Sequence, residues 1–356
     1  MVTSIISGSG SYIPENIVQN SNFIQSSFYG ENGIKLSSNN EDIIEKFFQI
    51  TGIKERRYAV ETMLNSDMAT IAAQRAINEA KIDKEEIDQI IVAHNFGDVP
   101  FDQPVPDMLP SIASKVKHQL KINNPSCVAF DVVFGCPGWV QAMIQADVFI
   151  KSGYAKKCLV IGSETLSRMA DPFDRDSMIY ADGAGAVVLE ASERKNQVGI
   201  INHAALSHTT EEVHFLMMGE GYFEETKDAN YMKMNGRKIY NYALTNVPKA
   251  IKSCIDNSGF SIEEVSKILI HQANLKMDLA IADRLYQLYG IEKAPVECIP
   301  MNIQKIGNNS VATVPVLYDM ISKNNLPNYS FKSGEIIVMA SVGAGMNINA
   351  LTYKMP

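Results

Sequence analysis

The sequence predicts an α/β fold made of two copies of one unit, and three observations predict it. The stretches EEIDQIIV, from Glu85, and EEVSKILI, from Glu263, each read as a helix end feeding a buried strand, and they lie 178 residues apart. CLVIGS at Cys158 and IIVMAS at Ile336 are two more short apolar runs at the same spacing. Pro137 and Pro315, again 178 residues apart, each open a helix-like stretch, and 178 is half of the 356-residue chain. One spacing met three times is the signature of a duplicated unit. Strands alternating with helices imply a mostly parallel sheet in each half, covered on both faces. The halves divide in the polar run ASERKNQVG, giving residues 1–193 and 194–356.

Along the chain, FYGENGIKLSSNNED near residue 35 is a polar, exposed loop. CVAFDVVF, residues 127–134, is a buried strand. Gly135 permits a tight turn after it, and Pro137 takes the place proline prefers in the first turn of a helix. That helix carries Trp139, Val140, Met143, Ile144, Val148 and Phe149 around most of its circumference, so it is expected to be central and buried.

Cys136 thus sits on a sharp strand-to-helix turn at a helix start. Unpaired N–H groups and the helix dipole favour negative charge there, which predicts a thiol poised as thiolate. In the second half, ILIHQAN puts His271 at the C-terminal end of a buried strand. KIGNNSVATVP puts Asn308 in a Gly-Asn loop before the helix that mirrors the Cys136 helix. A pseudo-twofold axis brings both toward Cys136, outside the carboxyl ends of the strands where sites of open α/β sheets gather. Taken singly, Cys136 also fits a small buried hydrophobe, His271 a core histidine and Asn308 a turn residue. The other four cysteines read as core.

Composition bounds the remainder. The formal net charge of −8 argues against nucleic-acid binding, which needs a basic surface. Five scattered cysteines without a CxxC pair or a zinc spacing predict no metal and a reducing cytoplasm. The N-terminus lacks the basic and apolar regions of a signal peptide. No run nears the ~18 apolar residues that span a bilayer.

These segments together resemble the ketoacyl-carrier-protein synthase III family, condensing enzymes of the thiolase superfamily. IISGSGSYIPEN is similar to the family's opening strand and TGIKERRYA to its Thr-Gly-Ile-x-x-Arg signature. AFDVVFGCPGWVQA, DPFDRDSMIYADGAGAVVLEAS, HQANLKM, GNNSVATVP and SVGAGMN follow in family order. The resemblance implies a thiolase-like, duplicated five-layered αβαβα fold and a homodimer. It implies a catalytic triad of Cys136, His271 and Asn308. An acyl thioester, from acyl-CoA or a carrier protein, would load Cys136, and a malonyl-carrier thioester would then condense with loss of carbon dioxide. Backbone N–H groups of Cys136 and Ala344 would hold the second oxyanion. No cofactor is implied. The setting is fatty-acid synthesis or related lipid and polyketide metabolism.

Within the resemblance, Arg175 matches a nucleotide-contacting arginine, while Lys46 and Ile50 stand where acetyl-CoA users carry Trp and Arg. That weighs toward a carrier-protein donor. Lys276 stands at a basic carrier-binding position and, with Arg237, Lys238, Lys151, Lys156 and Lys157, is a candidate docking patch for an acidic carrier. The segment 94–119 is longer than the family's usual loop and carries Asp98, Asp102 and Asp107. These read as solvated loop acids, though in some relatives this region supplies a carboxylate base. The Met-rich stretches near Met217 and Met232 read as core, or else as an adaptable acyl tunnel. Alternative readings are a ketosynthase-cyclase of the dialkylresorcinol or cyclohexanedione type, an acyltransferase of the same fold and, remotely, an inactive scaffold subunit.

Overall fold

The computed structural model describes residues 2–193 and 197–356. The expected division between residues 193 and 194 borders residues 194–196, which lie outside the described residues.

Both halves open their repeat in the same way. A three-residue 3-10 turn, Lys84–Glu86 or Ile262–Glu264, leads into a strand, Gln89–His94 or Val265–Ile270. Each strand pairs in parallel with a later apolar run, Lys157–Thr165 or Ile336–Gly343. Residues of these strands are almost all buried, so they read as continuous apolar runs rather than alternating ones.

The first sheet has the order Thr3–Tyr12, Asp182–Ser192, Lys157–Thr165, Gln89–His94, Val128–Val133. The second has Gly199–Ser207, Asn347–Lys354, Ile336–Gly343, Val265–Ile270. The two orders correspond strand for strand, except that the second sheet has no counterpart of Val128–Val133 among the described residues. The expectation of mostly parallel sheets needs correction. Asp182–Ser192 runs antiparallel to both of its neighbours, and so does Asn347–Lys354. In the second sheet connection length requires it: only the turn Ala344–Met346 joins Ile336–Gly343 to Asn347–Lys354, and a parallel crossover needs about a dozen residues.

Helices complete five layers. Asn65–Ala80 and Ile112–Gln119 cover the outer face of the first sheet, and Gly236–Ser258 and Leu275–Gln287 cover that of the second. Helices Gly138–Lys151 and Thr313–Ser322 lie between, each packing on strands of both sheets. One buried cluster joins Trp139, Met143, Val160, Leu317, Tyr318 and Leu351, so the halves share a core. This is the duplicated αβαβα arrangement. The Cys136 helix is less enclosed than its pattern implied, because Val148, near its C-terminal end, is 50% exposed.

Candidate active site

Strand Val128–Val133 ends beside Gly135, whose φ of +74° turns the chain sharply. Cys136 follows, then Pro137 as the N-cap of helix Gly138–Lys151. From the other half, His271 directly follows strand Val265–Ile270, and its N–H donates to the Ala340 carbonyl at 2.8 Å. Asn308 is strapped across the interface between halves: its N–H donates to Ile179 O at 3.0 Å, and Ala181 N–H donates to Asn308 O at 2.8 Å. The Asn308 side-chain oxygen accepts from Ser310 N–H at 2.8 Å, so the NH2 end of the carboxamide is left as the donor. Cys136, His271 and Asn308 line one cavity of about 460 Å³.

The turn Gly343-Ala344-Gly345 closes on Cys136. A Cβ at Gly343 would meet Cys136 N at 2.7 Å, and one at Gly135 would meet Ala344 N at 2.9 Å. Only glycine lets these two backbones approach so closely. Cys136 and Ala344 thus lie side by side in the lining of the cavity.

Electrostatics correct the expectation of a resting thiolate. Burial pushes the Cys136 thiol up to about 11, opposed by the Ser310 hydrogen bond and reinforced by the nearby Glu164 charge. Desolvation outweighs the helix start, which begins two residues later, and the sulfur rests as a thiol. His271 is driven the other way: burial lowers its pKa to about 4, against a smaller opposing effect from the Ser310 backbone. Its ring is neutral at physiological pH. Its Nδ1 has no hydrogen-bond partner among the described residues.

The remaining expected residues divide. Arg237 and Lys276 are exposed beside the cavity, next to its lining residues Gly236 and Met277. Lys238 is close by and lies over the Phe215 ring. Lys151 ends the 14-residue Cys136 helix, ~20 Å from its start, and binds Asp147. Lys157 pairs with Glu86, and none of Lys151, Lys156 and Lys157 borders the cavity. Arg175 is exposed beside Asp176 and is not part of the cavity wall. Lys46 and Ile50 are exposed on helix Asn40–Thr51, also away from the wall.

None of Asp98, Asp102 and Asp107 lines the cavity. Asp98 is buried rather than solvated, because its carboxylate accepts from Ser66 N–H, Ser66 Oγ and Lys115 Nζ at 2.8–2.9 Å. It ties the loop down. Asp107 shares Lys115 at 2.7 Å, and Asp102 is exposed.

The methionines near Met217 and Met232 border the cavity rather than the core clusters' interior. Met217, Met218, Met232 and Met234, from the hairpin of Leu216–Glu220 and Asn230–Met234, line the cavity with Met277 and Met346. Three polar residues at the site went unnoticed in the sequence: Asn95, Ser310 and Glu164. Ser310 Oγ lies 3.2 Å from Cys136 Sγ, and its place two residues after Asn308 was the one available hint.

Comparison with known proteins shows the family and the fold. Residues 130–208 match the family model for 3-oxoacyl-[acyl-carrier-protein] synthase III, and residues 255–355 match the model of its C-terminal part. The chain is 34% identical to the beta-ketoacyl-[acyl-carrier-protein] synthase III of Aquifex aeolicus, over 99% of this chain and 100% of that one. It is 32% identical to the protein of the same name from Erythrobacter litoralis, over 98% of each. The crystal structure of the Aquifex aeolicus synthase superposes with a TM-score of 0.81 over 99% of both chains. The priming beta-ketosynthase of the R1128 polyketide pathway, 24% identical, has the same fold at a TM-score of 0.81. With a free cysteine, an imidazole and a carboxamide in one cavity between duplicated halves, this chain belongs to the β-ketoacyl-acyl-carrier-protein synthase III family of condensing enzymes.

Proposed function

We propose that the chain makes a carbon–carbon bond between an acyl group held on Cys136 and a malonyl group held on an acyl carrier protein. In the first step Sγ bonds to the carbonyl carbon of a donor thioester. The donor's sulfur leaves, taking the proton that Cys136 gives up. In the second step the malonyl carbon–carboxylate bond breaks. Carbon dioxide departs, and the electron pair left behind forms an enolate. His271 and Asn308 donate hydrogen bonds to the enolate oxygen. The enolate carbon attacks the acyl carbonyl, whose oxygen is held by the N–H groups of Cys136 and Ala344. The carbon–sulfur bond then breaks, and Cys136 leaves as a thiolate that regains a proton.

The single observation carrying this reading is the convergence of Cys136, His271 and Asn308 on one cavity. The chemistry suits them. Departing carbon dioxide supplies the electrons, so no strong base is needed, and a neutral imidazole with a carboxamide suffices as donors. The reaction balances without a cofactor. A preorganised donor of this kind is worth about 3 kcal/mol in the transition state.

A carrier protein is the favoured acyl donor, with acyl-CoA as the competitor. Exposed Lys46 and Ile50 supply no aromatic face for an adenine, while Arg237, Lys238 and Lys276 offer positive charge near the cavity to an acidic carrier. The reading includes a homodimer. Among the described residues, strand Val128–Val133 is paired on one edge only, with Gln89–His94, and leaves Val128 and Val133 47% and 57% exposed. A second copy covering that edge would also complete the cavity wall at Val133 and Phe134. A free nucleophilic thiol fits a reducing cytoplasm. The test is intact-mass measurement after exposure to a panel of acyl-CoAs and acyl-carriers, followed by malonyl-carrier. A +acyl adduct on Cys136 that disappears as a β-ketoacyl-carrier forms supports the reading. A cyclised product, or transfer of the acyl group to oxygen, overturns it.

A further inference from the structure

A chain of hydrogen bonds runs from the Cys136 sulfur to a buried carboxyl. Glu164, near the end of strand Lys157–Thr165, has 0% exposure. Its Oε2 accepts from Asn95 N–H at 2.8 Å and from Asn95 Nδ2 at 2.6 Å, while its Oε1 has no partner among the described residues. Asn95 Nδ2 donates a second time, to Ser310 Oγ at 3.1 Å. Because that oxygen accepts from the amide, its own hydrogen is free to point onward, and Cys136 Sγ lies 3.2 Å away.

The two middle links of the chain are anchored. The neighbouring His94 is pinned by Gly97 N–H on Nδ1 at 3.0 Å and by Asp131 on Nε2 at 2.8 Å, so the peptide carrying Asn95 is held. Ser310 adopts a φ of +51°, a left-handed conformation unfavourable for a residue with a side chain, and its N–H is bound to Asn308 Oδ1 at 2.8 Å. Strain of this kind persists where the surroundings impose it. Here it sets the hydroxyl against the sulfur.

We propose that Glu164, Asn95 and Ser310 are positioning residues for the nucleophile: the carboxylate orients the Asn95 amide, the amide orients the Ser310 hydroxyl, and the hydroxyl donates to Cys136 whenever its sulfur carries negative charge. That charge arises twice in the reaction proposed above, at attack on the donor and at departure from the product. The alkylation test below needs neither substrate, so its outcome stands apart from that reading.

The chain has two opposed electrostatic effects. The Ser310 hydrogen bond favours the thiolate, while an ionised Glu164 disfavours it through its charge. Burial raises the Glu164 pKa to about 7, with His94 and Asp182 the titratable groups facing it. Tyr180 and His271 line the cavity with Cys136. Glutamine in place of Glu164 keeps an oxygen to accept from Asn95 and removes the charge. The substitutions Ser310→Ala and Glu164→Gln should therefore move the cysteine in opposite directions, which a merely structural role would not do.

The experiment is the rate of iodoacetamide alkylation of Cys136 in the full-length protein from pH 7 to 10, read by peptide mass so that the other four cysteines are excluded. Ser310→Ala should slow alkylation ~10-fold across this range, and Asn95→Ala should slow it in the same sense but less. Glu164→Gln should speed it. If Glu164→Gln fails to fold, as judged by circular dichroism, Ser310→Ala and Asn95→Ala decide between them. Unchanged rates in both of those variants overturn the proposal. So does a Glu164→Gln protein that folds and slows alongside Ser310→Ala.

Discussion

The two central helices are entered by turns that use the same device and deliver different groups. Gly135, with φ +74°, precedes Cys136, and Gly307, with φ +76°, precedes Asn308. The first turn comes straight off strand Val128–Val133 and passes at once into helix Gly138–Lys151. The second comes off the single helical turn Ile303–Ile306, and a 3-10 turn, Ser310–Ala312, intervenes before helix Thr313–Ser322. That extra turn gives the second half room for Ser310 to reach back to the sulfur and for its N–H to hold Asn308. At the 178-residue spacing Cys136 is matched by Val314 rather than by Asn308, so the two halves place their polar groups at different points of the helix entry.

The sharpest way to break this comparison is to remove one group from each turn. Cys136→Ala should abolish both acyl loading and condensation. Asn308→Ala should keep loading but lower carbon dioxide release from malonyl-carrier about 100-fold, the loss of one donor. Equal loss of loading in the two variants, measured by intact mass, would erase the division of labour.

A smaller effect is expected where the two halves touch. Gly343→Ala forces a Cβ to within 2.7 Å of Cys136 N and Pro137 Cδ. Relief needs a backbone shift, which should cost about 1–3 kcal/mol of stability and reduce condensation ~10-fold. Urea unfolding and a turnover assay together check this. An unperturbed variant would show that the close approach of Ala344 to Cys136 is dispensable.

The surface predicts less. Reversing charge at Arg237 or Lys276, beside the cavity, should raise KM for the carrier several-fold with kcat little changed, the loss of exposed ion pairs worth up to ~1 kcal/mol each. Lys156→Glu, in the region at the far end of the Cys136 helix, should leave KM unchanged. Titrating carrier against the three variants would locate docking at the wrong end if Lys156→Glu were the impaired one.

The smallest expected change concerns pH. Because burial holds His271 near 4 rather than 6.5, its ring gains a proton only as the pH falls toward that value. The neutral donor therefore stays intact from pH 8 down to about pH 5. A pH profile of decarboxylation, compared with that of the Asn308→Ala protein, should show no inflection near 6.5 belonging to His271. An inflection there would mean that the imidazole is solvated.

Much of this was legible in the sequence because it follows from local pattern. The strand–Gly–Cys–Pro–helix order placed Cys136 on its turn, and the constant spacing paired the Glu85 and Glu263 segments correctly. Strand direction was not legible: an apolar run such as IIVMAS reads the same in parallel and antiparallel pairing, and only the short turn at Ala344–Met346 fixes it. The state of the Cys136 thiol is not legible, because a helix start is visible in sequence while desolvation is not. Glu164 is not legible as a site residue, because its partner Asn95 lies 69 residues away. Nothing near SETLS signals a carboxyl held in the core. The methionine hairpin reads equally as core or as tunnel for a related reason, since methionine periodicity does not say which face borders a void.

The most direct test of the account is a paired measurement on His271→Ala: the mass of acyl-loaded protein and the carbon dioxide released from malonyl-carrier, in one reaction. Loading close to that of the unmodified chain, with release down about 100-fold, is the predicted result. Release at the unmodified rate, or loading lost as fully as in Cys136→Ala, would contradict the claim that the two halves contribute separate chemistry to one cavity.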